Sequence, residues 1–253
     1  MLTAERISGI YELLQRNNSV RVDELAQKYA VSEMTIRRDL EKMERDGMLE
    51  RCHGGAVSKT QIMQDQGFDT RESLNKDAKA QIARYCFEHY IQGNQVIYLD
   101  AGSTTLELAK LLTASSGLTV VTNDILIANV LRNCNLDVFM LGGKIQQSLG
   151  CIHGYIAQSQ LEAFRMDVAF VSSLCADDSY DVFAATENKV FFRRKLMECS
   201  QDVYMMMDDS KFHRRSLFRI NNLSDYSAIV TNKEVSQEEH KKMMRLGIKW
   251  VTV

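Results

Sequence analysis

VDELAQKYAVSEMTIRRDLEKMERDGMLERCHGGAV, residues 22–57, is the stretch on which the reading of this chain turns. Leu25, Ala26 and Tyr29 mark a short helix. Ala30-Val31-Ser32 follows as a tight turn, and Ser32 is the type of residue whose hydroxyl caps a helix start. Ile36, Leu40 and Met43 then recur at helical spacing, so a second helix begins here with one apolar face. At about 100° per residue, Met34, Arg38, Glu41 and Arg45 lie opposite that face, with Thr35 and Arg37 on its flanks. Gly47 stops the helix. Met48–Cys52 and Ala56–Ser58 can pair as a hairpin across His53-Gly54-Gly55. Helix, tight turn, helix and hairpin make the layout of a winged helix-turn-helix, which offers the start of its second helix to the major groove of DNA. Upstream, Ile7, Ile10, Tyr11 and Leu14 predict one more helix over Thr3–Arg16, ended by Asn17-Asn18-Ser19.

The bulk numbers fit a soluble globular chain. It has 253 residues, 45% hydrophobic and 25% charged, enough for one or two domains with a sizeable core. No apolar run approaches a membrane span. The acidic, helical N-terminus does not read as a signal peptide, so a cytoplasmic protein with no membrane partner is expected. Six cysteines (52, 86, 134, 151, 175, 199) are scattered without a CxxC pair; they are expected to be reduced and mostly buried, with no metal site. Net charge is −2, and residues 1–60 carry ten Lys/Arg against ten Asp/Glu. DNA binding must therefore rest on where the charges point rather than on their sum.

Three segments are expected: a DNA-binding domain over 1–58, a polar connection over 59–75, and a larger domain over 76–253 that opens with a helix at Lys76–Tyr90. In the larger domain apolar runs appear at Val96–Leu99, Leu118–Val121, Val138–Leu141, Val168–Val171, Val203–Met207, Ala228–Val230 and Ile248–Val253. Helical stretches separate most of them, including Thr105–Leu112, Ile125–Leu131, Val190–Glu198 and Gln237–Leu246. Such alternation predicts an α/β fold, a doubly wound, mostly parallel Rossmann-like sheet covered on both faces. Parallel strands put their C-terminal ends on one edge, where open sheets bind ligands. The residues that follow the strands are small and polar: Asp100-Ala-Gly102-Ser103-Thr104-Thr105, Thr122-Asn123, Gly142-Gly143, Ser172-Ser173 and Asp208-Asp209-Ser210-Lys211. All five loops are expected to converge on one crevice. In the first, Gly102 allows the backbone to turn inward, three hydroxyls follow, and a helix N-terminus favours an anion, most simply a phosphate. Thr104 and Glu107 also have capping-box spacing, which would only start a helix. Lys211 is the expected cation at the rim. The loop matches neither nucleotide-binding glycine motif, so no cofactor is expected.

The blocks ELA (24–26), VSEMTIRRDLEKMERDGMLER (31–51) and HGGA (53–56) closely resemble the N-terminal domain of the DeoR/GlpR family of bacterial transcriptional regulators. DAGSTT (100–105), VVTN (120–123), LGG (141–143) and DDSKF (208–212) resemble that family's sugar-phosphate sensor domain, which is similar in fold to ribose-5-phosphate isomerase. The resemblance covers nearly the whole chain. It implies that Thr35, Arg37 and Arg38 contact DNA, with Ser32 and Met34 beside them and Arg51 and His53 near the backbone. It also implies a phosphorylated sugar as effector, held by residues of the strand-end loops. Two departures fall at the sugar end, where SSLCADD (172–178) leaves Asp177 as the acidic match and Thr186-Glu187 and Arg194 as the nearest helix equivalents. A third is Arg21, where a small capping residue is common. The expected function is a carbohydrate-operon repressor that binds a double-stranded operator as a homodimer or homotetramer. The alternative is a sugar-phosphate isomerase with a DNA-binding appendage, for which Glu187 and Asp177 are the candidate bases.

Overall fold

The computed structural model describes residues 3–17, 19–45, 48–52, 54–58, 67–147 and 149–253. They divide into two compact units, Met1–Ile62 and Met63–Val253.

The first unit runs α1 (Thr3–Asn17), β1 (Ser19–Arg21), α2 (Val22–Tyr29), α3 (Glu33–Arg45), β2 (Leu49–Cys52) and β3 (Gly55–Ser58). Ala30 ends α2 in the left-handed region, its N–H reaching back to Ala26 and Gln27 carbonyls, as a helix C-terminus requires. Ile10 and Leu14 of α1, Leu25 of α2, Ile36, Leu40 and Met43 of α3, and Leu49 of β2 fill one core. Each such side chain contributes about 1.5–3 kcal/mol by leaving water. The hairpin pairs as expected, Leu49 opposite Ser58 and Cys52 opposite Gly55. The strand β1 was not expected. It adds to the wing in the order β1-β3-β2, and with only Val20 of its three residues buried it is too short to show a strand period. Arg21 caps nothing at the start of α2; it pairs with Asp23 at 2.8 Å instead.

The second unit begins earlier than expected. The polar connection is expected to run to residue 75, yet α4 (Phe68–Ser73) is a helix whose Phe68 is buried in the second unit's core. Then follow α5 (Lys76–Tyr90), β4 (Val96–Leu99), α6 (Ser103–Leu112), β5 (Thr119–Thr122), α7 (Ile125–Leu131), β6 (Asp137–Met140), β7 (Ile145–Gln146), β8 (Cys151–Ile152), α8 (Tyr155–Leu161), β9 (Met166–Val171), β10 (Cys175–Ala176), β11 (Asp181–Ala184), α9 (Glu187–Glu198), β12 (Ser200–Met206), β13 (Phe218–Asn222), β14 (Ala228–Thr231), α10 (Gln237–Arg245) and β15 (Trp250–Thr252). The seven predicted strands form one parallel sheet in the order β15-β14-β12-β9-β4-β5-β6. Alternate residues feed opposite faces: Ile97, Leu99, Val168 and Phe170 pack under α5, α6 and α7, and Tyr98, Ala169 and Val171 pack under α8, α9 and α10. Burial on both faces explains the unbroken apolar runs. The chain winds from β4 toward β6, then returns to the other side of β4 at β9. That reversal opens a cleft beyond the C-terminal ends of β4 and β9. Two small antiparallel additions, β7–β8 and β10–β11–β13, were not legible because their strands are brief and their partners distant.

Candidate functional site

The start of α3 is built as its sequence implies. The Thr35 N–H donates to Ser32 Oγ at 3.2 Å, and the two hydroxyls lie 2.9 Å apart. Met34 is 57% exposed. Arg37 donates to Glu33 one turn back at 2.8 Å. Arg38 is exposed and makes no hydrogen bond or ion pair among the described residues. Arg51 is tied to α3, its guanidinium to Glu41 at 2.9 Å and its backbone N–H to Glu44 at 3.0 Å. His53 lies outside the described residues. Asp39 orients neither neighbouring arginine. It is buried and accepts from Arg6 of α1 at 2.6 and 3.2 Å, which locks α3 to α1.

In the second unit the cleft between β4 and β9 is lined by Ser103, Thr104, Ser172, Ser173, Leu174, Met206, Met207 and Asp208, with Arg71, Lys79, Lys189 and Lys211. Gly102 precedes α6 in extended backbone, and a Cβ there would lie 2.3 Å from Ser172 Oγ. Only glycine lets the two loops close together. No side chain caps α6, and Glu107 pairs with Lys110, so the capping-box alternative is not realised. The first N–H groups of α6 lack helical acceptors, as at any helix start, and Ser103 and Thr104 of that turn line the cleft. The hydroxyls of Ser103 and Thr104 beside them make no hydrogen bond among the described residues.

Four basic side chains face one carboxylate here. Lys79 is 4% exposed. Burial pulls its ammonium below the ordinary value, Lys211 and Arg71 add to that, and Asp208 opposes it. Lys189 is buried and makes no direct hydrogen bond among the described residues. Asp208, the carboxylate, already accepts from Asn75 at 2.8 Å and from the Ser210 N–H at 3.1 Å. The cleft is tight, with a volume of about 20 Å³, room for roughly one water molecule.

Several expected ligands serve the scaffold instead. Asp100 is buried and ion-paired to the equally buried Arg193, which also donates to the Ser172 carbonyl at 2.7 Å. Burial alone would raise the Asp100 carboxyl, but Arg193, Lys189 and His153 outweigh it and hold it below the usual range. Thr105 donates to the carbonyls of Asp100 and Gly102 at 2.6 and 2.8 Å, closing its own loop. Thr122 donates to Leu99 across the sheet at 2.8 Å. Asn123 accepts from Tyr98 and the Ala101 N–H and donates to Ile152. The Gly142 N–H is taken by Gln160 at 2.7 Å, and Gly143 packs on Ile152; neither lines the cleft. Three strand-end loops meet there, not five.

Asp177 and Glu187 are also elsewhere. Asp177 accepts from the Ser179 and Asp181 N–H groups and sits in a larger groove of about 640 Å³ with Tyr180, Phe212 and Trp250. That groove is less suited to an anion. His213 is paired with Asp178 at 2.6 Å, and Lys233 and Lys242 lie over Phe212 and Tyr180. Glu187 is the exposed first residue of α9. Neither of these two carboxylates lines the cleft. Arg194 is spent on the Ile220 and Arg219 carbonyls. Among the described residues no cluster of three His, Cys, Asp or Glu side chains forms a metal site, and no helix is long and apolar enough to cross a membrane. The cysteines are all unbridged.

A DNA-reading helix in one unit and a small-ligand cleft in the other define a regulator that senses through its second half. Residues 6–62 match the model of the DeoR-like helix-turn-helix domain, and residues 74–233 match that of the DeoR C-terminal sensor domain. The chain belongs to the DeoR family of helix-turn-helix transcriptional regulators, and is not an enzyme. It is 33% identical to an uncharacterised regulator, YulB, of Bacillus subtilis, covering 100% of this chain and 98% of that one. It is 31% identical to an L-fucose operon activator of Haemophilus influenzae, over 92% and 93% of the two chains. It is 29% identical to the regulator GlpR of Haloferax volcanii, over 98% and 97%. Among solved structures, ribose-5-phosphate isomerase A of Methanocaldococcus jannaschii matches with a TM-score of 0.40 at 12% identity over 55% of each chain.

Proposed function

We propose that this regulator represses a carbohydrate operon and is released from its operator by a small phosphorylated sugar bound in the β4–β9 cleft. The observation that carries the reading is the charge balance of that cleft. An α6 N-terminus and the Ser103 and Thr104 hydroxyls face Arg71, Lys79, Lys189 and Lys211, against a single engaged carboxylate. A dianion offers what these groups lack, and a phosphate at a helix N-terminus satisfies several N–H groups at once. The sugar changes DNA occupancy only through unequal affinity for two arrangements of the chain. No cofactor is required. Arg38, with no hydrogen bond or ion pair among the described residues, is the leading base-reading candidate, with Thr35 and Arg37 beside it. Self-association as a dimer or tetramer matches paired half-sites on DNA.

A thermal-shift series with sugar phosphates and their dephosphorylated counterparts tests the cleft. A bound ligand raises apparent stability by about 2.7 kcal/mol at roughly 100 times its dissociation constant. The expected result is a shift that needs the phosphate and shrinks in the Ser103→Ala, Lys211→Ala double variant. Equal shifts from a sugar and its phosphate would end the proposal.

A further inference from the structure

Resting on the anion reading of the cleft, we infer that α4 is the element that responds to its occupant: Arg71 and Lys79 bind the anion, and Lys79 simultaneously grips the end of α4. The helix spans six residues, has Gly67 before it without a side-chain cap, and runs into extended backbone at Leu74. A helix so short does not hold itself together. Its order comes from outside. Phe68 is anchored in the core, the Arg71 guanidinium lies 5.9 Å over that ring, and Lys79 Nζ donates to the carbonyls of Arg71 and Leu74, the latter at 2.5 Å. These are the carbonyls a helix C-terminus leaves unpaired. Beyond them Asn75, in the left-handed region, ties the α4–α5 joint to Asp208 and Ser210 at 2.8 and 3.2 Å.

The side chains of Arg71 and Lys79 reach the same cleft as Ser103 and Thr104. An ammonium has three donors, and Lys79 spends two on α4. The third is available to an anion without releasing either carbonyl. An anion beside so deeply buried an ammonium is weakly screened and holds it in the position from which it donates to the two α4 carbonyls. Occupancy therefore tightens α4. In sequence α4 is the first element after residues 59–66, which join the two units, so its order is placed where a change can pass along the chain.

Hydrogen exchange of the full-length chain, with and without inorganic phosphate at matched ionic strength, tests this beside a thermal shift with the same phosphate. The expected result is a thermal shift together with roughly threefold or greater slowing of the amides in 69–75. In Lys79→Met the thermal shift shrinks but persists, and those amides exchange equally fast with and without phosphate. In Arg71→Gln, at a half-buried position where the fold is kept, shift and slowing shrink together. A thermal shift with unchanged or faster exchange in 69–75 overturns the inference and leaves the cleft reading intact. No thermal shift overturns both.

Discussion

The DNA-facing start of α3 and the cleft between β4 and β9 are assembled in contrary ways. Thr35, Arg37 and Arg38 are near neighbours on one helix, exposed to water, and two of the basic groups around them are offset by acids of the same unit, Arg37 by Glu33 and Arg51 by Glu41. The cleft draws Arg71, Lys79, Ser103, Ser172, Lys189 and Lys211 from separate helices and loops, mostly out of water. The difference teaches where function and stability are separable. An exposed arginine can be exchanged at little cost to the fold, whereas the cleft shares its charges with the interior that supports it.

The strongest blow to that contrast is Arg193→Met. It strands the Asp100 carboxylate in the core and is expected to cost about 3–5 kcal/mol in urea unfolding, while adding Asp100→Leu restores most of the loss. Arg38→Ala is expected to leave unfolding unchanged and to weaken specific operator binding by about 1–3 kcal/mol in fluorescence anisotropy, the worth of one good arginine–guanine pair. Binding unaffected by Arg38→Ala but lost in Arg37→Ala would reverse the roles of the two arginines. A smaller effect is expected at Asp124, which caps α7 through one carboxylate oxygen while the other is buried without a hydrogen-bond partner among the described residues. Burial raises this carboxyl to about 6 from 3.8, against the pull of its cap bonds. A raised carboxyl contributes stability below its unfolded value and loses it as pH rises through the folded one. Asp124→Asn is therefore expected to gain roughly 1–2 kcal/mol over the parent near pH 7.5 and nothing near pH 4; equal unfolding curves at the higher pH would refute this. Smallest is Glu33→Ala. Freeing Arg37 is expected to steepen the salt dependence of DNA binding by about one unit of log K per log salt. No change in slope would mean that Arg37 stays off the phosphates.

The contrast also sets what could be read from the sequence. The α3 surface is local, so helical spacing and the Ser32 cap sufficed to place it. The sheet is legible because seven apolar runs each fill a strand, the central ones buried on both faces and the edge strand β6 largely exposed. The cleft's glycine and hydroxyl loop is legible for the same local reason, but of its four cations only Lys211 is. Lys79 stands on a buried stripe with Ile82, Ala83 and Cys86, and Lys189 and Arg193 on another with Phe192 and Leu196. Asp39 lies likewise among Ile36, Leu40 and Met43. A charge on an apolar stripe is costly unless something inside receives it; α3 and α5 each carry one and α9 carries two. That signal was present and unread. For two of these charges the receiver lies far off in sequence, Arg6 for Asp39 and Asp100 for Arg193, and no periodicity reports such partners. Asp100, Thr105, Thr122 and Asn123 are ambiguous in the sequence for the opposite reason. Polar residues at strand ends suit a ligand and suit a loop that must satisfy its own backbone, and the choice depends on neighbours the sequence does not show.

The Arg6–Asp39 pair has a bearing on accuracy. With 13 residues, α3 is about 20 Å long. A tilt of roughly 10° about one end would carry the other about 3.4 Å, the rise of a single base step. A buried, two-pronged bond between α1 and α3 resists that rotation from within the core, leaving the residues that touch DNA free of the task. Loosening it would shift which base each side chain meets before it weakened the grip, so the first symptom of a worn Arg6–Asp39 contact is misreading.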